Sequence, residues 1–363
     1  AKEFKYYEKK YILAKLEIKA LDQRNAANIA YELLDFFYKF HRFMNNDRKR
    51  WYLNKCMVKQ EMGDFAFVYL KDERYSFQEN NTEKDNGKLS ASIITALLHN
   101  AHCSFEQIEK VIMLHNTAIE NTDLSNGFLN LWSILEVLFV TDNDCSKINE
   151  IEKKLIPILQ KEYIVMIFKE LDENLRENLT ADQYSEILDS IEGSDNKYKI
   201  AALVVLNEYD ELRKKLNTYL SSFPILRSRI ANINSICHRR CDMKDDLDRF
   251  TRRVTWHLIR LYRTRNSIIH SGEIADNLKL LGEHLHSYVD VCILEIIVSL
   301  IFEKHLCTID NVLINDIFQM ESIIKEMSNK EPFKKDDLFL CCNSIEYSSH
   351  ISSKESIDGQ SLQ

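Results

Sequence analysis

The residues that punctuate a chain are scarce here: seven Gly and three Pro in 363 positions. That leaves little for tight turns, while Leu, Ile, Glu, Lys and Asn are plentiful, so the expected fold class is mainly α. No uninterrupted run of 18 apolar residues is present and no signal peptide opens the chain. The expectation is a soluble, cytoplasmic protein with no membrane partner. There is no Walker loop, no Gly-rich dinucleotide loop, no Gly-x-Ser-x-Gly elbow and no paired-carboxylate motif, so no cofactor is expected. The nine cysteines are an odd number without a scaffold-like pattern, which reads as a reducing compartment.

Charge is present, and unevenly spread. A net charge of −8 argues mildly against a general nucleic-acid binder. Residues 223–272, however, hold eleven Arg or Lys against four Asp, and ten of the eleven are Arg, the better fork for phosphate. Two readings stay open at this point: a phosphate-binding surface, or a solvated helix face whose arginines pair with neighbouring acids.

Along the chain, residues 11–20 alternate, with Ile12, Ala14, Leu16, Ile18 and Ala20 on one side, and predict a half-buried strand. Asp22 is a helix cap for residues 23–44, where Ala27, Leu33, Leu34, Phe37 and Phe40 keep a helical period. Residues 64–70 read as a second strand, which makes 1–75 a small N-terminal β-α-β unit. Arg42, Arg48, Lys49 and Arg50 with Trp51 and Tyr52 read as a solvated helix end or, less simply, an RNA contact. A polar stretch, 71–88, follows. Helices are then expected at 89–100, 104–120, 126–140, 147–159, 161–177, 181–191, 196–221, 225–238, 244–271 and 276–306, with Pro157 and Pro224 as breaks or first turns. One more amphipathic helix falls within 307–328, and 329–363 reads as a polar, flexible tail. The first residue is Ala, which leaves room for an upstream sensor domain.

The segment that carries chemistry is residues 263–272, Arg-Thr-Arg-Asn-Ser-Ile-Ile-His-Ser-Gly. Upstream, Leu247, Phe250, Val254, Leu258 and Leu261 recur at steps of three and four, a helix face turned to a core, and Gly272 stops the helix. Asn266 and His270 are four apart on one face, so the amide can orient the imidazole. Arg265 lies five residues from His270, about 140° round an ideal helix. Those two work together only if the last turn is distorted or a second molecule supplies the missing partner. A helix C-terminus favours a cation, which suits a histidine there.

Residues 262–272 resemble the signature of the HEPN superfamily, an Arg followed four to six residues later by a His, and within it the Apea-like HEPN group of bacterial defence proteins. A second, weaker resemblance is residues 128–139, which look like an earlier helix of that group with a buried Glu, here Glu136. Together they imply a HEPN-type helical bundle from about 90 to 305, within a domain assigned to 76–306, with a helical insertion at about 142–242. The resemblance further implies a metal-independent endoribonuclease, a toxin or abortive-infection effector, built as a homodimer with a composite active site. Its catalytic residues would be Arg265, Asn266 and His270, with Arg263, Arg260 and Glu136 in support or on phosphate. The partners implied are an RNA substrate and an inhibitor or upstream sensor domain; no metal is implied. The alternative is a catalytically silent HEPN module that binds RNA, nucleotide or a partner protein as sensor or adaptor.

The chemistry suits these residue types. Metal-free RNA cleavage needs a base for the 2′-hydroxyl proton, an acid for the leaving 5′-oxygen and a cation for the phosphorane charge. Glu136, in an apolar helix, needs a partner, most simply Arg263 or Arg260. The Cys237-His238-Arg239-Arg240-Cys241, His99-x2-His102 and His284-x-His286 pairs lack a further ligand in the sequence and read as structural.

Overall fold

The computed structural model describes residues 16–45, 55–59, 65–69, 87–100, 104–121, 123–141, 146–193, 196–303 and 305–338. The chain divides into two compact units, Ala1–Ala96 and Leu97–Gln363, so the boundary falls inside a helix rather than in the polar stretch near 75.

Among its described residues the first unit runs α-β-β before the helix that crosses the boundary. Helix α1 (Gln23–Asn45) starts where Asp22 accepts a 2.7 Å hydrogen bond from the Asn25 amide, the cap expected from sequence. Ala27, Phe36, Tyr38 and Phe40 are buried, while Leu33 is exposed. Strands β1 (Lys55–Lys59) and β2 (Phe65–Tyr69) pair antiparallel, from Lys55 opposite Tyr69 to Lys59 opposite Phe65. The expected strand at 11–20 is not seen in its described part: residues 16–20 carry no regular structure and Leu16 is exposed. Alternation permits a strand, but only a paired neighbour makes one. Residues 11–15, and the basic run around residues 48–52, lie outside the described residues. Helix α2 (Gly87–Asn100) closes this part of the chain.

The second unit is helical throughout its described residues, so the mainly α expectation holds. Its helices are α3 (Phe105–Glu120), α4 (Leu124–Phe139), α5 (Lys147–Asn178), α6 (Ala181–Asp189), α7 (Asn196–Val205), α8 (Asp210–Tyr219), α9 (Pro224–Ile236), α10 (Arg240–Ser271), α11 (Leu278–Phe302) and α12 (Ile309–Met327), with 3₁₀ turns at Asn207–Tyr209 and Lys335–Leu338. Helices α3 and α4 pack closely: a Cβ on Gly127 would lie 3.1 Å from the Ala118 carbonyl oxygen. Helix α11 lies against α4 and α5, and the second half of α5 shares a core with α6 to α9, the start of α10 and α12.

Two helix boundaries differ from expectation. Pro157 does not break α5, which runs through it for 32 residues. The proline forfeits one backbone bond, yet Leu155, Ile158 and Leu159 are buried around it and hold the helix in the core. Conversely, residues 196–221 form two helices. The buried Arg213 guanidinium donates to the Leu203 and Leu206 carbonyls at 2.6 and 2.7 Å, satisfying the end of α7 that a continuous helix would have paired internally.

The segment expected as a flexible tail is packed in its described part. Phe333 and Leu338 are buried, and the Arg240 amide donates to the Glu331 carbonyl. Two apolar anchors suffice to dock a short polar stretch. Residues 339–363 lie outside the description. Among the described residues α11 is also long and apolar enough to cross a membrane, although half of its most apolar window is buried inside the protein. Lys279, Glu283, Asp290 and Glu295 interrupt it, which is why no uninterrupted apolar run is found in the sequence.

Candidate functional site

Helix α10 is anchored by its first turns and ends in the open. At its start, buried Arg240 pairs with Asp337 at 3.1 Å and Glu331 at 3.4 Å. Buried Asp246 accepts from the Tyr163 hydroxyl and from Arg249, and burial together with Asp246 pushes the Tyr163 pKa up to about 12. Leu247, Val254, Leu258 and Leu261 form the buried face, as their spacing predicts. Gly272 then ends the helix with φ +66, a left-handed conformation that costs a residue with a Cβ about 1 kcal/mol or more.

At the far end the candidate residues divide between two faces. Arg265 points inward. Its Nη2 donates to Glu136 Oε1 on α4 at 3.3 Å and its Nη1 to Asn266 Oδ1 at 3.1 Å. Trp132, fully buried one turn before Glu136, donates its indole N–H to the same Oε1 at 3.1 Å, and Lys147 lies 3.6 Å from Oε2. The Trp132 ring packs on Tyr262, 5.6 Å between centroids. The Trp-x3-Glu spacing therefore has a physical role: the indole and the Arg265 guanidinium share one carboxylate. The partner of Glu136 is Arg265, not Arg263 or Arg260; on an ideal helix those two residues lie well round from Arg265, toward solvent.

His270, Arg263 and Arg260 are exposed. No hydrogen bond joins Asn266 to His270 among the described residues, because the amide oxygen is taken by Arg265. The 140° offset between Arg265 and His270 is kept, so one chain does not bring them together. His270 instead shares a face with other cations. Arg252, Arg253, Arg260 and Arg263 are all exposed there and form no salt bridge or side-chain hydrogen bond among the described residues. Trp256, 74% exposed, stands among them. From Arg252 to His270 the stripe runs about 27 Å along the axis at 1.5 Å per residue. Trp256 was not singled out by its sequence context, although an indole between arginines on a solvent face is the signal that would have found it.

The other cysteine and histidine pairs resolve differently. Cys237 is fully buried and burial pushes its thiol up to about 12, so it stays protonated; no third ligand joins it and Cys241 among the described residues. His284 contacts His257 of α10 at 3.4 Å, and His257 in turn contacts the Tyr288 hydroxyl at 3.0 Å. Burial first, then the neighbouring His284 and Arg260, hold the His257 pKa below its usual range. His286 lies on another face of α11, beside Asp290 and His115.

Comparison of the chain with protein-family models, with curated proteins and with solved structures finds no match.

Proposed function

We propose that this protein is a HEPN-like, metal-independent endoribonuclease that works as a homodimer in the cytoplasm, as a toxin or antiphage abortive-infection effector restrained by an inhibitor or a sensor domain. The observation that carries this reading is the exposed face of α10. Arginines without an ion pair among the described residues, an exposed indole and His270 form one stripe, the combination that tracks a phosphate backbone and stacks a base. In this reading His270 handles the proton of the 2′-hydroxyl or of the leaving 5′-oxygen, and a two-fold dimer supplies the second imidazole. Arg265, held by Glu136 and Asn266, keeps its remaining N–H donors for the phosphorane charge. Arg260 and Arg263 hold flanking phosphates.

The test is cleavage of total cellular RNA by the purified protein in EDTA. His270→Ala is expected to lose about 10²- to 10⁴-fold in rate with unchanged thermal stability, since the side chain is exposed. Cleavage by that variant at the wild-type rate removes the assignment. One observation favours a second reading, a catalytically silent module that binds RNA, nucleotide or a partner protein: the Arg265 guanidinium already has a carboxylate and an amide as partners. Tight RNA binding without cleavage of any RNA pool selects that reading.

A further inference from the structure

His115 on α3 meets His286 and Asp290 on α11, although 171 residues separate it from His286. His115 Nε2 lies 3.0 Å from His286 Nε2 and 2.8 Å from Asp290 Oδ1, and His286 Nε2 lies 3.4 Å from the same oxygen. His286 and Asp290 are one helical turn apart, so α11 presents both from one face. The two imidazole rings are inclined by 31° with centroids 5.0 Å apart, so they converge through their Nε2 atoms rather than stack face to face.

Hydrogen bonding alone serves this triangle poorly. A neutral imidazole carries one N–H, and His115 Nε2 faces two partners with a single proton at most to share between them. A cation answers all three atoms at once. Placed about 1 Å off the plane of the triangle, it sits about 2.0–2.1 Å from each, the distance of Zn–N and Zn–O bonds. We infer that His115, His286 and Asp290 form a binding site for a divalent transition-metal ion of the zinc type, clasping α3 to α11 and keeping a position open to water.

Access agrees with that geometry. The His115 side chain is 3% exposed, while His286 and Asp290 are 38% and 43% exposed. The ligands are therefore held from the protein side, and the outer side is open to solvent. Three protein ligands with a solvent-facing fourth position is the arrangement of an exchangeable site rather than a closed structural one. Two imidazoles and one carboxylate also admit Fe(II) or Co(II), and exclude a preference for hard cations such as Mg²⁺ or Ca²⁺.

The inference is independent of the RNA-cleaving reading, and its test does not use cleavage. Protein stripped by a chelator is titrated with Co²⁺, the d–d absorption is followed in the visible range, and Zn²⁺ is then added as competitor. The wild type is expected to take up one Co²⁺ per chain, to release it to Zn²⁺ and to melt several degrees higher with Zn²⁺ bound. Asp290→Asn keeps the shape of a half-exposed side chain and is expected to weaken binding at least tenfold with an unchanged circular dichroism spectrum. His286→Ala is expected to abolish the signal, and His284→Ala, on another face of α11, to leave it intact. Absence of saturable one-to-one binding, or Asp290→Asn and His286→Ala variants that bind as the wild type does, overturns the assignment.

Discussion

The two halves of α10 treat the same residue type in opposite ways. In and before its first turns arginine is a structural residue: Arg239 pairs with Asp242, Arg240 with Asp337 and Glu331, Arg249 with Asp246, and on α9 Arg229 pairs with Glu170. Beyond Arg249, the exposed arginines Arg252, Arg253, Arg260 and Arg263 face solvent with no salt bridge among the described residues, while Arg265 turns inward to Glu136. The local excess of positive charge counted from the sequence is thus a mixture. Part is used in ion pairs within α10, from α9 to α5 and from α10 to the segment after α12, and only the remainder is available to a polyanion. Charge content predicts binding only after the ion pairs have been subtracted.

That comparison can be broken or sharpened by substitution. The strongest effect belongs to the paired class at its most buried. Lys161 bridges Glu295 at 2.5 Å and Asp316 at 3.2 Å, with Asp316 fully buried. Lys161→Met is expected to cost about 3–5 kcal/mol in urea unfolding, the cost of stranding a buried partner. Burial raises the Asp316 pKa to about 7 against the opposing charge of Lys161. The folded carboxyl then holds its proton up to about pH 7, whereas the unfolded one releases it near 3.8, so this group's contribution to stability falls as pH rises through that window. The Lys161→Met penalty should correspondingly shrink on acidification, and a penalty independent of pH would assign the cost to lost packing instead.

Next in size, Arg240→Ala should lower stability by about 2–3 kcal/mol, less than a fully buried pair because Glu331 is half exposed, and should leave RNA affinity unchanged. Trp256→Ala is the converse. With its ring in solvent, stability should hold within about 0.5 kcal/mol, while single-stranded RNA binding weakens by about 1–3 kcal/mol. Smallest are Arg252→Gln, Arg260→Gln and Arg263→Gln taken singly. Each should weaken RNA binding a few-fold and reduce the slope of log K against log salt by about 0.7. A stripe whose single substitutions leave that slope unchanged would be a solvated helix face after all.

Local signals in the sequence correspond to what local physics determines. The Asp22 cap, the buried face of α10 and the Gly272 stop all depend on residues within a turn or two, and all were legible. Long-range outcomes were not. Pro157 reads as a break until the core around α5 is known, and 196–221 reads as one helix until the Arg213 side chain is seen to fold back from α8 and close the end of α7. Glu136 was legible as an acid in need of a cation, and it is partly buried, but its partner was misassigned. Helical spacing sets Arg265 on a different face from Arg260 and Arg263, yet nothing in the sequence says which face meets α4. The His286-x3-Asp290 spacing is visible on inspection, whereas His115 stands 171 residues from His286 and joins them only through helix packing.

The left-handed stop at Gly272 has an electrical side. Among the final carbonyls of α10, the hydroxyl of Ser271 serves that of Ser267 at 2.8 Å. The remaining carbonyl oxygens give this pole of the helix a partial negative charge of about half an electron. A polyanion is therefore repelled along the axis and attracted from the side, where the arginines stand. The approach open to it is lateral, across the flank of α10, with His270 met at the edge of the path rather than head-on.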